Sequence, residues 1–234
     1  MTKAVSILLA AVMVLGMFSI IPVSAGGISY LDEKGETHTV GTYTAVTGET
    51  RTLSKGWYAV SEDVEIAGRM EISGTVNLIL CDGKTLTAEK GVHVSEGNTL
   101  NIYAQSEGTG ALTTGNPGDY NAGIGTNNDE SAGTITINGG VITAAGTLDG
   151  AGIGGGCNCF GGTITINAGE VHATGGRGGA GIGAGEDSHF KTIAISGGTV
   201  NAAGGKKMRG HRRRSRLQQV HGYDFRRHRE CDRR

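Results

Sequence analysis

Aromatic side chains make up only 5% of this chain, whereas 43 of its 234 residues are glycine. So little ring volume excludes an ordinary close-packed globule, and glycine at that level needs a backbone reason that recurs. Cysteine is also scarce: Cys81 stands alone, Cys157 and Cys159 sit in "CNC", and Cys231 lies near the C-terminus. These make no disulfide framework, although one bridge from Cys81 to the pair stays open. A Cys-x-Cys metal site would need further ligands at fixed spacing, and none is evident. Basic residues are rare until the end. Of 21 Lys and Arg, 12 fall in residues 206–234 beside 3 Asp and Glu, leaving 9 bases against 19 acids before them. The body therefore carries a net charge of −10 and the last segment +9.

The first 25 residues, "MTKAVSILLAAVMVLGMFSIIPVSA", place a cation at Lys3 before an apolar stretch from Ala4 to Ile21. Small residues at Val23 and Ala25 suit signal peptidase, so residues 1–25 read as a secretory signal cleaved after Ala25, with no membrane span left in the mature chain. The expected location is extracellular, with attachment to the cell wall open.

From residue 122 the sequence repeats. "AGIG" begins at Ala122, Ala151 and Ala180, a period of 29, and "GTITINGGVITAAG", "GTITINAGEVHATG" and "KTIAISGGTVNAAG" follow in the same register. Side chains alternate between the two faces of a strand. One inward column is then Ile135, Ile164 and Ile193, beside Ile137, Ile166 and Ile195; another is Ile142, Val171 and Val200, followed by Ala144, Ala173 and Ala202. Ala122, Ala151 and Ala180 with Ile124, Ile153 and Ile182 form a third set. A lone repeat has nothing to cover its apolar face, so copies must stack, about 4.8 Å apart, as parallel strands. The expected fold is all-β: a right-handed parallel β-helix with about three short strands per coil. Residues 71–205 form the solenoid, less regular over 71–115, and residues 26–70, with Trp57 and several charges, form an N-terminal cap.

The string "GWYAVSEDVEIAGRMEISGTVNLILCDGKTLTAEKGVHVSEGNTLNIYAQSEGTG" and the "AGIG…GGTITINGG" units after it resemble a group of secreted repeat proteins from Gram-positive, largely gut-dwelling bacteria. The resemblance covers about residues 54–205 and implies a pectin-lyase-like β-helix, often with further surface modules downstream. It carries over no catalytic residue, because the group has no catalytic motif to place here.

Were the period to continue, a fourth "AGIG" would start at position 209, where the chain has "RGHR". Read one nucleotide out of register, Arg209 to Arg212 can encode Ala-Gly-Ile-Gly. The last fourteen residues, "HGYDFRRHRECDRR", can likewise encode Thr-Val-Thr-Ile-Ser-Gly-Gly-Thr-Val-Asn-Ala-Thr-Gly-Gly, against "TIAISGGTVNAAGG" one period earlier. Residues 206–234 therefore read as a frameshifted, disordered basic tail. No nucleic-acid partner is expected from its arginines.

Glycine strings such as "GAGIGGG" imitate a dinucleotide fingerprint, which works only between a strand and a helix N-terminus. Calcium β-rolls need a nine-residue period with a recurring Asp, and this period is 29. Outward threonines (Thr134, Thr163 and Thr192, with Thr136 and Thr165 beside them, then Ala194) resemble the flat face of ice-binding solenoids, or simply satisfy β-propensity on a wet face. For metal, the candidates are Asp129, Glu130, Glu186 and Asp187, acids in the loop after "AGIG" that could take calcium; no other cofactor is expected. No catalytic residue is assigned: His172 stands outward, with only Arg177 and Lys191 as nearby bases. The expected protein is a monomeric, non-catalytic, adhesin-like repeat protein that meets extracellular glycan or a host or cell surface. A polysaccharide lyase or hydrolase on the same fold is the alternative.

Overall fold

The computed structural model describes residues 26–118 and 120–205, so the expected leader and the basic tail lie outside it. Among the described residues every regular element is a strand. The chain opens with an antiparallel hairpin, β1 (Ile28–Leu31) and β2 (Thr37–Val40), after which nearly all pairing is parallel. A short β3 (Thr44–Ala45) lies against β4 (Thr52–Val60), which leads into β5 (Val64–Ile66). The next coil is β6 (Met70–Leu80) and β7 (Thr85–Ala88), and the third is β8 (Val92–His93), β9 (Thr99–Ala104) and β10 (Ala111–Thr114). Three coils of one design follow: β11 (Ile124–Gly125), β12 (Ser131–Ile137) and β13 (Val141–Ala145); β14 (Ile153–Gly154), β15 (Phe160–Ile166) and β16 (Glu170–Thr174); β17 (Ile182–Gly183), β18 (His189–Ile195) and β19 (Thr199–Ala203).

Successive coils pair strand upon strand, giving three faces. The first stacks β8, β11, β14 and β17 upon the start of β6. The second stacks β9, β12, β15 and β18 upon the rest of β6 and upon β4. The third runs β5, β7, β10, β13, β16, β19. One long strand thus serves two faces in the second coil: Met70 and Glu71 pair with β8, and Thr75 to Leu80 pair with β9, with the corner at Gly74. The fold is a right-handed parallel β-helix, the hand that right-twisted strands impose on parallel crossovers. The parallel ladder already includes β3, β4 and β5, within the segment read from sequence as a cap; the hairpin β1–β2 stands outside it.

The expected inward columns form the core. Leu100, Ile135 and Ile164 are buried over Val76, and Ile102, Ile137 and Ile166 over Leu78. Each such side chain contributes about 1.5–3 kcal/mol on burial. The sixth coil has no further described coil upon it, so Ile195, equivalent to the fully buried Ile166, is 38% exposed. Corners carry polar ladders that the apolar pattern did not announce: the Asn167 amide donates to Asn138 Oδ1 at 2.8 Å, and Ser196 Oγ donates to Asn167 Oδ1 at 2.8 Å. No disulfide forms between Cys81 and the "CNC" pair: Cys81 is buried beneath the hairpin on the second coil, and the pair lies in the loop after β14. The glycine run at 150–156 passes through β14 into that loop, with no helix to make a phosphate site.

Candidate functional site

Polar groups gather in five places among the described residues. On the first face, His93 lies in register with Glu71 on the coil before and Gly125 on the coil after. Glu130 reaches the same ring from the loop after β11. His93 Nδ1 meets Glu71 Oε2, and Nε2 lies 2.5 Å from Glu130 Oε2. The ring is 12% exposed, against 46% for Glu71 and 37% for Glu130. Behind it runs Arg69, whose Nη1 donates to Lys90 O at 2.7 Å and whose Nη2 donates to Ala122 O at 3.0 Å and Gly125 O at 3.1 Å. Burial pulls this guanidinium down to about 10, opposed by the charges of Glu71 and Glu130. Both carboxylates turn toward one ring, so the cluster binds three coils together.

Burial pushes the Glu130 carboxyl up, but hydrogen bonds from His93 and Asn127 outweigh it and hold the group below its ordinary value. A carboxylate lowered in the folded state contributes stability above its unfolded value and loses it as pH falls through the folded one. Glu130→Gln should therefore flatten the acid limb of a plot of Tm against pH between 7 and 3. The difference should be no more than about 1 kcal/mol once solvent screening is allowed for. An unchanged acid limb would show that the His93 contact carries no charge-dependent stability.

The four acids expected to hold calcium occupy three separate places. Glu130 is the partner of His93. Asp129, Asn158 and Asp187 occupy equivalent positions one period apart, all with left-handed backbone (φ 61°, 52° and 53°), and the Asn158 amide donates to Asp129 Oδ1 at 2.9 Å. An amide paired with the carboxylate one coil away makes a step of a ladder, a different geometry from convergent ligands. Glu186 instead joins Asp149, a buried residue in the turn between β13 and β14 that sequence reasoning missed. Its equivalents one period away are Tyr120 and Gly178, so no column of like residues marks it. Asp32, Glu36 and His38 also come together on the hairpin, where Asp32 Oδ1 accepts from the Lys34 and Glu36 amides and Oδ2 meets His38 Nε2 at 2.9 Å.

The second face presents the longest regular array. Thr75, Thr99, Thr134, Thr163 and Thr192 form one outward column, so the three threonines noted in sequence become five. Beside it run Trp57, Asn77, Asn101, Thr136, Thr165 and Ala194, and the Asn101 amide donates to Asn77 Oδ1 at 2.9 Å. The hairpin packs over the first coils of this face. There Tyr30 lies 4.7 Å from Trp57 and 4.8 Å from Tyr103, ring centre to centre, and Trp57 lies 5.4 Å from Tyr103. An aromatic cluster thus closes one end of a neutral hydroxyl and amide array.

A family described as a beta helix repeat matches residues 135–157, 164–186 and 193–210, one match beginning in each of the last three coils. The matches agree with the stacked register of β12, β15 and β18 and leave the earlier coils to the structure alone. No curated protein and no solved structure matches the chain.

Proposed function

We propose that this is an exported, non-catalytic β-helical surface protein that contacts neutral extracellular glycan through its second face, in the manner of an adhesin. The observation that carries the reading is the uninterrupted column Thr75–Thr99–Thr134–Thr163–Thr192 beside Asn77, Asn101, Thr136 and Thr165. Hydroxyl and amide groups repeated every ~4.8 Å suit a polyhydroxylated chain, and weak contacts over several coils sum by multivalency. The columns hold no formal charge and the body is acidic, which disfavours polyanions.

The test is retention of the full chain on a panel of immobilised polysaccharides. A neutral glycan should retain it, and Thr136→Glu with Thr165→Glu should weaken retention roughly tenfold or more with Tm held within about 2 °C. Failure of every glycan to retain it, or retention unchanged by the double variant, overturns the reading. A second reading, a polysaccharide lyase or hydrolase, is favoured by the Glu71–His93–Glu130 constellation. Polysaccharide turnover that Glu71→Gln abolishes would establish it instead.

A further inference from the structure

Asp149 and Glu186 come from successive turns of the solenoid, one before β14 and the other after β17. The Asp149 side chain is only 9% exposed, and its two oxygens differ: Oδ2 faces Arg177 Nη2 at 3.5 Å, whereas Oδ1 is buried with no hydrogen-bond partner. That orphan oxygen and Glu186 Oε2 converge beside Gly178, where a Cβ would lie 2.8 Å from the first and 2.6 Å from the second. Gly178 falls one period after Asp149, so a glycine is what leaves the space. Backbone hydrogen bonds fix the geometry, from Gly178 N to Leu148 O at 3.2 Å and from Glu186 N to Asp149 O at 2.8 Å.

Two carboxylates in one secluded place repel each other, and a guanidinium on the far oxygen of one answers a single charge. We propose that Asp149 and Glu186 form a site for a hard divalent cation of the calcium class, with water completing the oxygen shell. Two acids at a partly solvated site suit the weak affinity of extracellular calcium modules, about 10⁻⁴–10⁻³ M. A bound ion would tie the turn that enters the fifth coil to the loop after β17 in the sixth. Arg177 stays on Oδ2, outside the ion's shell.

Protons compete for the same oxygens. Burial and then the Glu186 charge push the Asp149 carboxyl up, against the pull of Arg177, and a proton shared with the Glu186 side chain adds to the rise. A carboxyl raised in the folded state contributes stability at low pH and loses it as pH rises through the folded value. The cation takes the proton's place there, and its binding must weaken as pH falls. This site is independent of the glycan reading of the second face.

The experiment is a titration of the full chain, stripped with chelator, with Ca²⁺ at pH 7 and pH 5, followed by Tm and by terbium luminescence. The expected result is one saturable site with Kd about 10⁻⁴–10⁻³ M and a Tm rise of about 2–4 °C in excess Ca²⁺ at pH 7. Binding should fall roughly tenfold or more in Asp149→Asn, in Glu186→Gln and at pH 5. Asp32→Asn, at the exposed hairpin cluster, should leave it unchanged. The absence of saturable binding up to about 10 mM overturns the proposal. Equal binding in Glu186→Gln does the same, and that variant, in the more exposed loop, decides the matter should Asp149→Asn not fold.

Discussion

Gly154→Ala should cost more than about 4 kcal/mol, enough to lower Tm by about 10 °C or more or to leave no folded protein, when unfolding is followed by far-ultraviolet circular dichroism. Gly154 ends β14 at φ +132°, a backbone state that resists a side chain, and a Cβ there would stand 2.0 Å from Gly183 O on the next coil. That carbonyl is a ladder acceptor for Gly155 N at 2.8 Å. Relief would require the fifth and sixth coils to part, with loss of the ladder and of the Ile153 and Ile182 packing between them. Backbone strain accounts for about 1–3 kcal/mol, and separated coils for the remainder. Gly183→Ala is the control: its φ is similar at +125°, but the nearest atom to its Cβ would be Ile193 Cδ1 at 3.1 Å, the end of a flexible side chain. It should lose only about 1–2 kcal/mol. Equal losses at the two positions would mean that conformation, and not the coil above, dictates glycine in this column.

Why some of this was readable and some was not follows from the period. Where coils share the 29-residue register, like residues lie over like, and Ile135, Ile164 and Ile193 mark their own column in the sequence. The earlier coils break that rule. Val76 stands under Leu100 and Leu100 under Ile135, at unequal spacings, so Thr52–Val60 had no repeat to mark it as a coil. The Glu71–His93–Glu130 cluster draws on those irregular coils, and Glu130 reaches it from a loop outside the strand register. Asp149 was hidden for the opposite reason: within the regular array its column holds Tyr, Asp and Gly, and chemistry that depends on a missing neighbour leaves no pattern in a single chain.

Arg69→Met should destabilise the protein by about 2 kcal/mol, measured by urea unfolding at pH 7. Two effects oppose each other at this position. Burial disfavours the charge and draws the guanidinium down to about 10, which leaves it protonated at neutral pH; on that ground alone an apolar side chain of similar length would be an improvement. Against this stand the carbonyls. Gly125 O also accepts from Val94 N and keeps a partner in the variant, whereas the bonds that Arg69 gives to Lys90 O and Ala122 O go without replacement by any Met atom. The part-buried Ala122 carbonyl left unsatisfied costs about 1–3 kcal/mol, whereas Lys90 O is exposed and can take water instead. The variant also takes the nearby cation from Glu71 and Glu130, leaving His93 as the group between them. Methionine keeps the packing of the stem, so the measured loss isolates the guanidinium. A neutral substitution would mean that water reaches those carbonyls, and that Arg69 is a passenger beneath the Glu71–His93–Glu130 cluster instead of its support.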